Sequence, residues 1–190
     1  MFYKLSDQVT SKIQEYAAIS NENREIYRYG IQQGLILLLN VATTLIISIA
    51  FGMVMECLVY MIAFIPLRVY AGGYHARTHI LCFIYSAIQI FAVLLIIKLL
   101  PYTAIVYSTL DLVGFLSVYI LSPVADGNKP LDDKEMIVYR RRSLIILTFL
   151  CVSIFLCHMF HFVCGIKSIT MAIFSVGFLI VLGKVKNTLR

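Results

Sequence analysis

The sequence predicts an all-α integral membrane protein: about six transmembrane helices, two of them short enough to be re-entrant, preceded by an N-terminal amphipathic helix. Three observations carry this. Of the 190 residues, 61% are hydrophobic and 14% charged, against roughly 45–50% and 25% in an ordinary soluble domain. Mean hydropathy is +0.89, too apolar for a water-soluble monomer and too rich in aliphatic and aromatic residues for a disordered chain. Uncharged stretches also recur near the length of about 20 residues that crosses a hydrocarbon core of about 30 Å. The length suits one membrane domain over 1–190. It divides into an amphipathic cytoplasmic segment (1–29), a helical membrane bundle (31–182) and a cytoplasmic tail (183–190).

Before the first span, Phe2, Leu5, Val9, Ile13 and Tyr16 form one helical stripe, with Lys4, Asp7, Lys12 and Glu15 mostly off it. Such a helix either lies in the membrane interface to receive a membrane-bound partner or packs on its own bundle. Ser20-Asn21 offers a helix cap before Glu22. No apolar signal-peptide core precedes it. Ile31 to about Ala50 makes the first span, and Phe51-Gly52 reads as a turn. Met53–Leu67 is a second, short span containing Glu56 and stopping at Arg68. Ile80–Ile97 is the third, with Thr78 as its cap. Tyr102–Leu121 is the fourth, with Asp111 near its middle. Ser143–Cys164 is the fifth and Ser168–Leu182 a short sixth. The strongly polar connection, Pro123–Arg142, joins spans four and five.

With six spans and both termini in the cytoplasm, 14 of the 16 basic residues fall on the inner side, leaving only Lys98 and Lys167 outside. The positive-inside rule selects this orientation for a multi-pass membrane protein. The net charge of +6 then belongs to cytoplasmic loops facing the lipid bilayer, with no nucleic-acid partner. Five cysteines, at 57, 82, 151, 157 and 164, are odd in number and mostly inside apolar runs, which argues for free thiols.

The chemistry concentrates in Arg68-Val-Tyr-Ala-Gly-Gly-Tyr-His75-Ala-Arg-Thr-His79-Ile-Leu-Cys82, on the cytoplasmic side. A nucleophilic thiol needs a base and surroundings that favour the thiolate. In the first turn of span three, the helix N-terminus and Arg77 would favour it at Cys82. His79 and Cys82, three apart, share a helix face. His75 and Cys82 are seven apart, about 10 Å of rise on a continuous helix, so His75 reaches the thiol only if the chain before Thr78 folds back. Gly72-Gly73 allows such a bend. Spacing slightly favours His79 and leaves His75 open. A buried core thiol with interfacial histidines is the competing reading.

The pattern R-x-x-A-G-G-Y-H-A-x-T-x-x-x-C resembles the signature of the accessory gene regulator protein B family (AgrB), membrane cysteine endopeptidases that process the precursor of a cyclic quorum-sensing peptide. The resemblance extends to the chain length, the amphipathic start, and a Pro-containing polar loop (Ser-Pro123-Val-Ala-Asp126-Gly-Asn128-Lys129-Pro130-Leu) before the basic cluster Arg140-Arg141-Arg142. It implies that His75 and Cys82 are the catalytic pair and His79 a bystander, reversing the preference from spacing. It also implies cleavage of an AgrD-like precursor peptide through a thioester. An internal thiol or hydroxyl of that peptide would then release a cyclic thiolactone or lactone. Neither a metal nor an organic cofactor is expected. The oligomeric state stays open, a homodimer among the options.

Arg68, Gly72 and Gly73 are candidate supports of the site. Asp126 and Asn128, on the same membrane side, are candidates to orient an imidazole, although turn chemistry alone explains Asp-Gly-Asn. Backbone N–H groups at the start of span three are candidates for an oxyanion hole. Cys157, His161 and Cys164 at i, i+4 and i+7 suggest small polar groups on one helix face rather than a metal site. Asp111 is read as a structural or protonated carboxyl. The rival to an enzyme is a peptide exporter or permease, with Asp111, Gln89 and Asn40 along a path and Cys82 incidental. A non-catalytic membrane scaffold is a third reading.

Overall fold

The computed structural model describes Ser11 and residues 24–74, 78–124 and 132–188. Among these, six helices follow one another: α1 (Arg24–Phe51), α2 (Val54–Ala71), α3 (His79–Leu99), α4 (Ala104–Leu121), α5 (Asp133–Met159) and α6 (Val163–Thr188). Each contains a stretch long and apolar enough to cross a membrane, and the chain is accordingly a multi-pass membrane protein. The amphipathic segment before Arg24 lies outside the described residues, apart from Ser11.

The α1–α2 junction is a single tight turn, with Gly52 at φ 68°, a conformation that suits glycine. Thr78 caps α3 as its side chain accepts from the Leu81 N–H at 3.3 Å. Three expectations change. α2 continues through Arg68 to Ala71, so at 18 residues it is a full span, about 27 Å at 1.5 Å per residue. α5 begins ten residues before Ser143, at Asp133, because the charges of Arg140–Arg142 end the apolar stretch without ending the helix. The N-terminus of α5 is further fixed by the Asp132 N–H donating to the Glu135 carboxylate at 3.3 Å. α5 stops at Met159, and a turn at Phe160–His161 with His161 at φ 53° starts α6 at Val163. α6 is therefore 26 residues long, neither short nor re-entrant, and absorbs most of the expected tail.

α6 is the central helix. Ile169, Ile173, Val176 and Ile180 are buried along it, and its principal neighbours are α4 and α2. α4 approaches through small residues: a Cβ on Gly114 would come within 2.8 Å of the Phe174 backbone, and one on Gly177 within 3.1 Å of the Gly114 backbone. Where lipid and core are equally apolar, such close backbone contact supplies the packing energy. Leu67, Leu94, Leu147 and Tyr60 complete the core. The Tyr60 hydroxyl takes a 2.7 Å hydrogen bond from Gln89 Nε2, between α2 and α3. α1 is peripheral and packs mainly on α3. Its Leu37, Leu38 and Ile46 are exposed, as lipid-facing side chains are.

Alternating spans bring the end of α2, the start of α3, the end of α4, the start of α5 and the end of α6 to one face of the bundle. Arg68, Arg140, Arg142, Lys184 and Lys186 collect there. Lys98 and Lys167 are at the opposite end, where Lys167 Nζ donates to the Ile97 and Leu100 carbonyls at 2.9 and 3.0 Å and so closes the last turn of α3.

Candidate active site

The basic end of the bundle is organised around Gly72-Gly73-Tyr74, the segment leaving α2. Gly72 and Gly73 have φ of 71° and 112°, left-handed values at which a side chain would be strained. Space makes the same demand. A Cβ on Gly72 would overlap the Val124 carbonyl, and one on Gly73 would lie 2.8 Å from the Leu179 carbonyl. The freed backbone is fully used. The Gly73 N–H donates to Val124 O at 3.0 Å, the Val124 N–H to Ala71 O at 3.1 Å, and the Tyr74 N–H to Leu179 O at 2.9 Å. Gly72 and Val124 thereby form an isolated parallel bridge. The segment is stitched on one side to the loop after α4 and on the other to α6.

Arg68, one turn back on α2, secures the bend from inside. Its guanidinium donates to the carbonyls of Gly72 and Tyr74. An arginine near the end of a span thus satisfies carbonyls that the helix has released. The Tyr74 ring meets Tyr85 of α3 edge-on at 6.0 Å and lies beneath Lys186 Nζ, 4.8 Å from the ring centroid. Tyr74 consequently ties α2, α3 and α6 together at one point.

Residues 75–77 join this anchored segment to Thr78. Cys82 follows in the first turn of α3, exposed, its N–H bonded to the Thr78 carbonyl at 3.0 Å. It is the exposed member of the five cysteines; Cys57 is buried and the other three are intermediate. An accessible thiol therefore stands in the first turn of α3, one turn before Tyr85.

Comparison with known proteins identifies the family. The family profile for accessory gene regulator B matches residues 6–182. The chain belongs to that family. An AgrB-like protein of Clostridium perfringens (strain SM101) is 25% identical over 156 residues, 78% of this chain and 73% of the relative. The accessory gene regulator protein B of Staphylococcus aureus (strain bovine RF122) is 30% identical over 123 residues, 61% of each chain. That of Staphylococcus saprophyticus is 27% identical over 111 residues, 58% of this chain and 59% of the relative. No solved structure matches.

Of the residues singled out in this accessory gene regulator B chain, Arg68, Gly72 and Gly73 meet in one hydrogen-bonded bend that leads toward Cys82. His75, Asp126 and Asn128 lie outside the described residues, as does the His79 side chain. Two contributors escaped the sequence reading, Val124 and Gly183, while Tyr74 stood in the motif without an assigned role. A Cβ on Gly183 would come within 2.7 Å of the Tyr74 nitrogen. Its signal was present, since an isolated glycine in an apolar helix often marks a close backbone approach. Val124 acts through backbone atoms and leaves no such trace.

The remaining candidates separate. The break at Phe160–His161 puts Cys157 on α5 and Cys164 on α6, so the single face expected for Cys157, His161 and Cys164 does not form. Among the described residues no group of three or more His, Cys, Asp or Glu side chains is placed to hold a metal. Asn40 donates to the Ile36 carbonyl of its own helix at 3.0 Å, and Gln89 serves Tyr60. The Asp111 Oδ1 is enclosed within the bundle without a hydrogen-bond partner among the described residues.

Proposed function

We propose that this protein is a membrane cysteine endopeptidase that cleaves the precursor of a cyclic quorum-sensing peptide. The observation that carries the reading is the exposed Cys82 at the start of α3, on the same end of the bundle as a glycine bend held by Arg68, Val124 and Leu179. Membership of the accessory gene regulator B family supports it.

In this reading the Cys82 thiolate attacks the carbonyl carbon of one peptide bond of an AgrD-like precursor. His75 takes the thiol proton and gives it to the leaving amine as the C–N bond breaks. The N–H groups of His79 and Ile80, which have no intrahelical acceptor at a helix start, face the developing oxyanion. The acyl half remains on Cys82 as a thioester. A thiol or hydroxyl of the same peptide then attacks that thioester, forming the ring and returning the Cys82 thiol. Exchange of a thioester for a thiolactone is nearly balanced and needs no external energy source. The basic end of the bundle lies in the cytoplasm, as the distribution of lysine and arginine favours, so the precursor is cut before it leaves the cell.

The test is cleavage of a co-expressed precursor. Cys82→Ala should abolish it while the protein still inserts. Ala at Cys57, Cys151, Cys157 or Cys164 should be tolerated. Retained cleavage in Cys82→Ala would overturn the reading.

A further inference from the structure

α3 and α6 touch at few points, and between them lies a cavity of about 580 Å³. Pockets of about 300–1,000 Å³ are the size that encloses a small ligand. Tyr74 and Tyr85 line it at the basic end, and it runs along α3 past Gln89 and Ala92 to Ile96, facing Phe174, Ser175 and Phe178 of α6. From Tyr85 to Ile96 is about 17 Å at 1.5 Å per residue. The walls are mostly apolar, with polar atoms from Tyr74, Tyr85, Gln89 and Ser175.

The register of α3 connects this groove to the nucleophile. Cys82, Tyr85, Gln89, Ala92 and Ile96 are spaced by three, four, three and four residues, one helix face. Cys82 stands at the basic end of the same strip that lines the groove. Tyr85 and Tyr74, in edge contact, separate the two by a single turn.

We infer that this groove is the specificity pocket for the acyl half of the substrate, taking a short run of apolar side chains on the N-terminal side of the scissile bond. This rests on the proteolytic reading of Cys82. The acyl half is the part that stays bonded to the thiol after the amine departs, so it needs a holding site beside Cys82. An apolar groove leading away from the thiol would hold the acyl chain by its apolar side chains. A lipid chain and a second copy of this protein are the competing occupants.

The experiment uses the full-length protein in nanodiscs and measures site-resolved alkylation of Cys82 by mass spectrometry. Acetyl-Leu-Phe-chloromethyl ketone is compared with acetyl-Gly-Asp-chloromethyl ketone. In each the Cys82 sulfur forms a thioether to the methylene carbon as the C–Cl bond breaks and chloride leaves. Iodoacetamide, too small to use the groove, reports the thiol itself. The apolar probe should react at least about 10-fold faster, the scale on which apolar pockets discriminate. Filling the groove from either wall, by Ala92→Phe or Ser175→Leu, should erase that preference and leave the iodoacetamide rate unchanged. The wild-type preference needs no variant, so a misfolded substitution does not rescue the idea. Equal rates with the two ketones, or a preference that survives both fillings, would overturn the proposal and point to lipid or a second copy in the groove. A Cys82 no faster toward iodoacetamide than Cys151 would instead refute the proteolytic reading, and the groove assignment with it.

Discussion

Gly183→Ala is a small change, more than one hundred residues from the thiol in sequence, yet it should slow the enzyme without unfolding it. The added methyl would lie 2.7 Å from the Tyr74 nitrogen and 2.8 Å from the Gly73 carbonyl carbon. Ordinary contact begins near 3.4 Å, so backbone must yield by about 0.6–0.7 Å. The yielding atoms belong to the segment that carries the chain into His75. A displacement of 1 Å can cost a catalytic constellation about 10²-fold, so a shift of this size should cost roughly 10- to 30-fold in the acylation of Cys82. Stability should fall by no more than about 2 kcal/mol. Overpacking costs about 1–3 kcal/mol, and replacing a helical glycine by alanine returns about 1 kcal/mol. The assay is single-turnover accumulation of the Cys82 acyl-enzyme with full-length precursor, beside thermal unfolding in the same nanodiscs. Gly34→Ala on α1, where nothing lies within 4 Å of the new methyl, is the control and should leave acylation unchanged while gaining about 1 kcal/mol of helix propensity. A Gly183→Ala enzyme that acylates at the wild-type rate would refute the claim that α6 positions the bend.

His75→Ala should lose about 10²-fold or more in acylation, the scale of a general base, and His79→Ala much less; a dead His79→Ala enzyme would assign the base to the helix face instead. Arg68→Gln should lower activity by loosening the Gly72 and Tyr74 carbonyls, and Arg68→Lys should recover only part, because an ammonium lacks the planar fork that serves two acceptors; full activity in Arg68→Gln would show the bend to be self-supporting. A membrane-impermeant thiol reagent should miss Cys82 in intact cells and reach it in inverted vesicles, and labelling from outside would reverse the orientation. Deleting residues 2–19 should weaken processing of full-length precursor without preventing insertion, whereas an unchanged rate would make that segment a spacer.

Much of this architecture was legible in the residue pattern, because membrane spans obey a simple length rule. The turn at Gly52 and the Thr78 cap could be read from residue type alone. The ends of α2 and α5 could not. Arg68 and Arg140–Arg142 look like stops on a hydropathy scale, but a charge limits depth in the bilayer and does not break a backbone helix. Arg68 even extends α2, by bonding the carbonyls beyond it. The break at Phe160–His161 was hidden for the opposite reason: its residues are apolar or weakly polar, and no proline or glycine marks it. The Arg-Gly-Gly element was visible in the sequence as a cluster. Its partners, Val124 and Leu179, contribute carbonyl oxygens, which any residue could supply.

The bond from Tyr74 to Leu179 has a consequence for biosynthesis. Membrane proteins are made from the N-terminus, so the nucleophile of α3 is laid down while α6 is still untranslated. Until that last helix enters the bilayer, the Gly73-Tyr74 strand has nothing on one side to bind, and Gly183 is not yet there to receive it. On the proposed reading, the nascent chain would carry its thiol into the membrane in an uncommitted state, unable to attack whatever peptides pass, and would arm it only on completion. A chain stopped after Met159 should insert and display Cys82 to small thiol reagents yet fail to accept a peptidyl group, and supplying α6 as a separate polypeptide should restore the reaction.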